Sequence, residues 1–223
     1  MAIRNLTVFL GLSVLCLTGC AGSGSPSSSA PTSVGSPGPI VFMGDSITAR
    51  WGESEYAAPT LGQLVPTGVN EAISGQNTNQ MLARFPQDVL ALDPSVVVIE
   101  GGTNDLAEVT NYGRSPPGAP ATINAISTMA EEASQAGARV FIASVIEVSM
   151  PQYGVSASDI SSFNLQLQML CADYGYTYID YQHALELGGA QNPADFLSDG
   201  VHPSEEGYIA MWHVLRPQLS SLQ

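Results

Sequence analysis

From residue 40 onward, short apolar runs alternate with longer stretches in which apolar residues recur at the spacing of a helix. The short runs are bounded by turn residues and partly β-branched, which favours buried strands. We predict strands at 40–44, 69–73, 95–100, 139–145 and 176–180. Helices are predicted between them, around 81–92, 122–136, 158–174 and from about 204. This alternation is typical of a parallel sheet with helices on both faces. We therefore predict a three-layer α/β/α domain with a five-stranded parallel sheet.

The residues before this domain have a different character. Arg4 precedes an apolar segment, 6–17, which has the length of a signal-peptide core and is too short to span a bilayer. The next stretch is rich in Gly, Ser and Pro and is expected to be a flexible tether. The predicted organisation is a signal peptide, a tether and a folded α/β domain, at 1–19, 20–39 and 40–223.

The end of the apolar segment, Leu17-Thr18-Gly19-Cys20, resembles the bacterial lipobox. The resemblance implies cleavage before Cys20 and attachment of lipid to that cysteine. The alternative is an ordinary secretory signal that is cut nearby, with Cys20 unmodified. The first interpretation predicts an exported protein of the bacterial cell envelope, anchored by lipid in the periplasm, at the outer membrane or on the cell surface.

Net charge narrows the classes of possible partner, and the cysteine positions narrow the possible disulfide bonds. The chain has no lysine and a formal net charge of −14 at pH 7, which argues against nucleic acid and anionic membrane surfaces as partners. Its cysteines are at 16, 20 and 171, so maturation before Cys20 would leave no intrachain disulfide. Cys171 is expected to be a buried structural residue of a helix.

Ser46 is the first candidate for chemistry. It follows the apolar run of the first predicted strand in Gly44-Asp45-Ser46-Ile47, where the chain turns into a helix. Ligands of open α/β sheets bind at such carboxyl ends of strands. A serine at this position can present its hydroxyl to a substrate, and its N–H lies at a helix start that suits an oxyanion.

A serine nucleophile needs a base, and the chain has three histidines. His183 follows the last strand and is expected at the surface or at a cap, whereas His213 is expected to pack within the last helix. His202 lies in a loop with Gly and Pro, three residues after Asp199, which can curl back to accept the imidazole N–H. The alternative is that Asp199 caps the final helix beside an unrelated histidine.

Gly75 and Asn104 each follow a predicted strand and can supply donors at the same edge of the sheet. Gly75 lets its amide approach a ligand closely, and Asn104 offers a side-chain NH₂. With the N–H of Ser46 they would form a three-donor oxyanion hole. Taken separately, the two residues are also ordinary turn formers.

Together these turns resemble the blocks of the GDSL esterases, or SGNH hydrolases, over residues 40 to about 215. The blocks are Gly-Asp-Ser-Ile at Ser46, Ser-Gly-Gln-Asn-Thr at Gly75, Gly-Thr-Asn-Asp at Asn104 and Asp-Gly-Val-His-Pro at His202. The family name has Leu where this chain has Ile47. The resemblance implies a flavodoxin-like sheet, a Ser46–His202–Asp199 triad, and no metal or organic cofactor.

The predicted function is therefore that of a serine esterase. The rim loops 106–119, 146–157 and 188–198 show no long apolar stripe, which favours short acyl groups such as acetate on a carbohydrate or other small molecule. Alternatives are a lysophospholipase- or thioesterase-type acylhydrolase, a non-catalytic solute-binding lipoprotein, and a metal site at Asp199 and His202. The metal site is disfavoured because no second histidine has ligand spacing. We expect a monomer.

Overall fold

The computed structural model describes residues 38–53, 59–107, 119–147, 156–186, 195 and 199–220. The strands are β1 (Ile40–Met43), β2 (Gly68–Asn70), β3 (Val96–Ile99), β4 (Arg139–Ala143) and β5 (Thr177–Ile179). The helices are α1 (Ser46–Ala49), α2 (Leu61–Leu64), α3 (Thr78–Asp88), α4 (Thr103–Leu106), α5 (Ala119–Gln135), α6 (Ala157–Tyr174), α7 (Tyr181–Leu185) and α8 (Glu205–Ser220). A 3₁₀ turn over Leu90–Leu92 follows α3.

The strands form one parallel sheet in the order β2-β1-β3-β4-β5. The predicted five-stranded α/β fold is therefore confirmed. This order is the flavodoxin-like one, in which the chain changes direction across the sheet between β1 and β3. Ligands of doubly wound sheets bind in the crevice at that switch point. The turns after β1 and β3 are therefore the first place to look for a site.

The core lies on both faces of the sheet. Every residue of β3 is buried, as expected for a central strand covered by helices on both sides. Helices α3, α5 and α6 cover one face with residues such as Met81, Met129 and Phe163. The other face packs against α1 and α8 through Ile47 and Tyr208, among others. These two layers hold the turns at the ends of β1 and β3 in fixed positions.

Cys171 lies on the buried side of α6 and is the free cysteine among the described residues. Burial raises the pKa of its thiol to about 11. Because thiolates are the reactive form, we expect residues 21–223, with their single cysteine, to react slowly with a thiol reagent such as dithionitrobenzoate until denaturant is added. Rapid stoichiometric reaction of the folded protein would contradict this burial.

Within the described ranges, no helix has the length and apolar character needed to cross a bilayer. The predicted signal peptide and Cys20 lie outside the described residues, as does all of the tether except its last two positions. Their assignment stays a prediction.

Candidate active site

Ser46 is the first residue of α1, directly after the turn that leaves β1. Asp45 caps this helix, since its Oδ1 accepts the N–H of Ile47 at 2.9 Å. Gly44 makes the turn possible, because a Cβ at that position would lie 2.5 Å from Thr48 Oγ1. The turn leaves Ser46 partly exposed while both residues before it are buried.

His202 lies beside Ser46 although 156 residues separate them in the chain. Its Nε2 is 3.0 Å from Ser46 Oγ, and its Nδ1 is 2.7 Å from Asp199 Oδ2. Asp199 Oδ1 accepts the backbone N–H groups of Val201 and His202 at 2.9 and 3.0 Å. These two bonds hold the carboxylate where its other oxygen faces the ring. With the Nδ1 proton directed to Asp199, Nε2 is left to accept the serine hydroxyl proton.

The carboxyl group of Asp199 has its pKa below the usual value. Burial alone would raise this pKa, but hydrogen bonds from the ring and backbone of His202 and from Val201 outweigh it. The side chain is 41% exposed, so solvent still reaches it. The carboxylate is therefore ionised over the neutral range and able to stabilise a protonated His202.

Arg50 is a further neighbour of the ring that the sequence did not suggest. Arg50 is the C-cap of α1, the helix that begins at Ser46, and its Nη1 lies 3.2 Å from His202 Nδ1. Since Nδ1 is closer to Asp199, at 2.7 Å, we assign the ring proton to the Asp199 hydrogen bond. Arg50 then contributes a positive charge beside the Asp199–His202 pair rather than a second bond to the ring.

Gly75 and Asn104 lie at the turns that follow β2 and β3. Gly75 has φ +78°, a left-handed conformation that favours glycine. Asn104 lies in α4, after Gly102, whose φ of +124° turns the chain at the end of β3. Among the described residues, neither the N–H of Ser46 nor that of Gly75 has a protein acceptor. Both amides can therefore donate to a ligand.

The side-chain amide of Asn104 is more constrained. Its Nδ2 lies 3.0 Å from the carbonyl oxygen of Gln76 and 3.3 Å from Asp45 Oδ2. The first bond connects the turn after β3 to the turn that contains Gly75. Arg84 supports the same turn, since its Nε donates to Gln76 Oε1 at 2.7 Å.

The comparisons with known proteins concern the family and the fold of the chain. The family model of GDSL-like lipases and acylhydrolases matches residues 42–210, which include Ser46, Gly75, Asn104 and His202. The chain belongs to the GDSL-like lipase/acylhydrolase family. As a member of this GDSL family it is a carboxylic ester hydrolase.

Relatives of the GDSL domain include proteins of known structure. A GDSL-like lipase from Bacteroides thetaiotaomicron shares 29% identity at a TM-score of 0.70, over 83% of this chain and 89% of that one. An acetylxylan esterase from Geobacillus stearothermophilus has the same fold, with 20% identity, a TM-score of 0.66, and coverage of 82% and 94%. A curated acetylxylan esterase from Xylanibacter ruminicola is 27% identical over 204 residues, 79% of this chain. The chain spans only 42% of that relative's length.

The two GDSL blocks at Gly75 and Asn104 are joined by a buried carboxylate, Asp105. Its oxygens accept the N–H of Thr78 at 3.1 and 3.0 Å and the Thr78 hydroxyl at 2.5 Å. Thr122 Oγ1 on α5 adds a bond of 3.3 Å. Burial raises the pKa of Asp105, while the bonds from Thr78 and Thr122 oppose the rise. Asp105 thus fixes the start of α3 against α4. It thereby holds together the turns that contain Gly75 and Asn104.

A second feature that the sequence did not suggest is Glu100, the residue after β3. It is 2% exposed, and its Oε2 accepts the hydroxyl of Thr48 at 2.9 Å. It lies beside Asp45, which is fully buried, and burial raises the pKa of both carboxyl groups. Two buried acids therefore lie beneath the turn that carries Ser46.

The remaining predicted site features have mixed outcomes. His183 is exposed on α7, as expected. The expectation that His213 packs within α8 is wrong, since its side of the helix faces solvent. Within the described ranges, no group of His, Cys, Asp and Glu could hold a metal ion. Most of the rim loops lie outside the described residues.

Replacing Asp199 by alanine is expected to lower kcat about tenfold to a hundredfold. A buried triad carboxylate is worth about 10⁴-fold, but the exposure of Asp199 lets water take over part of its hydrogen bond to His202. Steady-state kinetics with p-nitrophenyl acetate measure this loss. Asp173→Ala, at an exposed position of α6, is the matched control. A kcat that stays at the wild-type value would contradict the assignment of Asp199.

Proposed function

We propose that this GDSL hydrolase is a serine esterase with Ser46 as nucleophile, His202 as general base and Asp199 as the carboxylate that orients His202. The observation that carries the proposal is the unbroken chain of contacts, 2.7 Å from Asp199 to His202 and 3.0 Å from His202 to Ser46. Side chains at hydrogen-bond distance in this order are what nucleophile activation requires.

The reaction follows from these positions. His202 Nε2 takes the proton of Ser46 Oγ as the oxygen attacks the ester carbonyl, and the imidazolium is stabilised by Asp199. The oxyanion accepts hydrogen bonds from the N–H groups of Ser46 and Gly75 and from Asn104 Nδ2. His202 then protonates the leaving alcohol, which breaks the ester bond and leaves an acyl group on Ser46. A water activated by His202 releases the acid and restores the serine.

We propose short acyl esters, above all acetyl groups on a carbohydrate or other small alcohol, as substrates. The acetylxylan esterase from Xylanibacter ruminicola supports this choice, although the chain covers less than half of that protein. The sequences of the rim loops show no long apolar stripe, which favours the same choice. Long-chain acylhydrolase activity is the alternative that the experiment must separate.

The test compares p-nitrophenyl esters of increasing acyl length, using residues 21–223. We expect kcat/KM to be highest for acetate and to fall as the chain lengthens. A fluorophosphonate probe is expected to label one serine per molecule, and peptide mapping to place the label at Ser46. Preference for long acyl chains would overturn the short-chain proposal. Hydrolysis without labelling of Ser46 would overturn the assignment of the nucleophile.

We also propose that Cys20 carries a lipid that anchors the enzyme to a membrane of the cell envelope. The lipobox-like Leu17-Thr18-Gly19-Cys20 and the uncharged Gly/Ser/Pro-rich stretch after it support this proposal. In a bacterial host, full-length protein should incorporate an alkynyl fatty acid and fractionate with membranes, whereas Cys20→Ala should do neither. Equal labelling of both proteins, or none of either, would contradict the anchor.

A further inference from the structure

The proposed mechanism leaves the buried pair of Asp45 and Glu100 without a role. Asp45 precedes the nucleophile, and Glu100 follows β3, so the pair lies at the switch point between the two strands. Beside the effect of burial, a hydrogen-bonding contact between the two side chains raises the pKa of Asp45 and opposes the rise at Glu100. Two carboxyl groups can form such a bond only when one of them carries a proton, because ionised carboxylates are acceptors only. Repulsion between like charges at a buried site also opposes double ionisation.

The surrounding donors favour a proton on Asp45. Glu100 Oε2 accepts the Thr48 hydroxyl, and the backbone N–H groups of Asp45 and Thr48 also face Glu100. Glu100 Oε1 is buried and accepts no hydrogen bond from an N–H or hydroxyl group of the described residues. Asp45 Oδ1 accepts the N–H of Ile47, which leaves Oδ2 to carry a proton. A proton on Asp45 Oδ2 supplies the missing donor to Glu100, and the negative charge then rests on Glu100.

This proton affects Asn104, which faces the same oxygen. The amide of Asn104 has two hydrogens, and one donates to the Gln76 carbonyl at 3.0 Å. The other lies within 3.3 Å of Asp45 Oδ2. An ionised Asp45 would hold that hydrogen in a charge-assisted bond and would place a negative charge beside the oxyanion. A protonated Asp45 is a weaker acceptor, so the second hydrogen is available to the substrate.

We propose that Asp45 and Glu100 are positioning residues that share one proton, held on Asp45, and that this proton frees an N–H of Asn104 for the oxyanion. The inference rests on the proposed esterase mechanism, and the proton stays within the pair during turnover. Among the described residues, two other titratable groups face the pair. Asp105 adds negative charge near Asp45, while Tyr181 lies near Glu100 with a pKa that burial raises, so it stays neutral.

The kinetic test uses Glu100→Gln alone and together with Asp45→Asn. In the single variant, the glutamine amide donates to Asp45 and favours its anion, so we expect kcat for p-nitrophenyl acetate to fall about tenfold to a hundredfold, with little change in KM. Asparagine at position 45 removes that charge, so the double variant should recover several-fold in kcat. If the pair were only structural, the double variant would be slower than Glu100→Gln, because it carries a second substitution. A double variant no faster than Glu100→Gln would overturn the proposal.

The second test is independent of turnover. Difference infrared spectroscopy of the purified protein at neutral pH is expected to show the carbonyl stretch of a protonated carboxyl group that Asp45→Asn removes. Asp173→Asn, a change at an exposed acid of α6, should keep this band. Retention of the full band in Asp45→Asn, or its absence from the wild type, would overturn the shared proton. This result stands whether or not the enzyme hydrolyses the chosen esters, so failure of the two proposals can be distinguished.

Discussion

Replacing Ser46 by alanine is expected to lower kcat on p-nitrophenyl acetate by about 10⁴-fold or more, with the fold unchanged. The variant loses the oxygen that attacks the carbonyl and keeps the N–H that donates to the oxyanion, so only weak catalysis by the remaining groups is left. Alanine suits the first turn of α1, and Ser46 Oγ bonds only to His202 among the described residues, so no other contact is broken. Steady-state kinetics and a thermal melt measure the two effects.

The matched control is Ser95→Ala. Ser95 immediately precedes β3, at the end of the strand opposite the catalytic turns, where its hydroxyl donates to the Gly38 carbonyl at 2.5 Å. We expect this variant to hydrolyse the ester as fast as the wild type. If Ser46→Ala retained most of its activity while melting at the wild-type temperature, the nucleophile would have to be another group.

The strands were predictable because a buried parallel strand is apolar along its whole length, as Val96–Ile99 is. Their ends were not. The run 69–73 continues to read as a strand, but β2 ends at Asn70. The side chain of Asn70 accepts the N–H of Ala72 at 3.1 Å and donates to the Thr48 carbonyl. These contacts end the regular pairing of β2 at Asn70, although the N–H of Ile73 still donates to the Gly44 carbonyl at 3.0 Å. They depend on a residue 22 positions away.

The residues of the site likewise divide into those that the sequence predicts and those that only the structure reveals. Ser46, Gly75, Asn104 and His202 could be predicted because each lies in a short motif whose meaning is local. Glu100 and Arg50 could not, because their importance comes from contacts across 52 and 152 residues, with Thr48 and His202 respectively. Glu100 in the sequence is only an acid at the end of an apolar run. That it is buried beside a second acid follows from the order of the strands, which places β1 next to β3.

The second large effect is expected for Asn104→Ala, which should lower kcat about a hundredfold to a thousandfold and leave KM nearly unchanged. The loss of one oxyanion donor has this magnitude, because the bond strengthens as charge develops on the carbonyl oxygen. Asn104→Asp is nearly isosteric but cannot donate when ionised, so it should be at least as slow as Asn104→Ala. Asn124→Ala, at an exposed position of α5, is the control and should keep wild-type kinetics.

Fluorophosphonate labelling of Ser46 separates the two roles that Asn104 has. If Asn104 only bridged Gln76 and Asp45, its loss would lower the melting temperature and leave kcat of the folded enzyme within a few-fold of the wild type. If it donates to the oxyanion, kcat and the labelling rate fall together in a protein that is still folded.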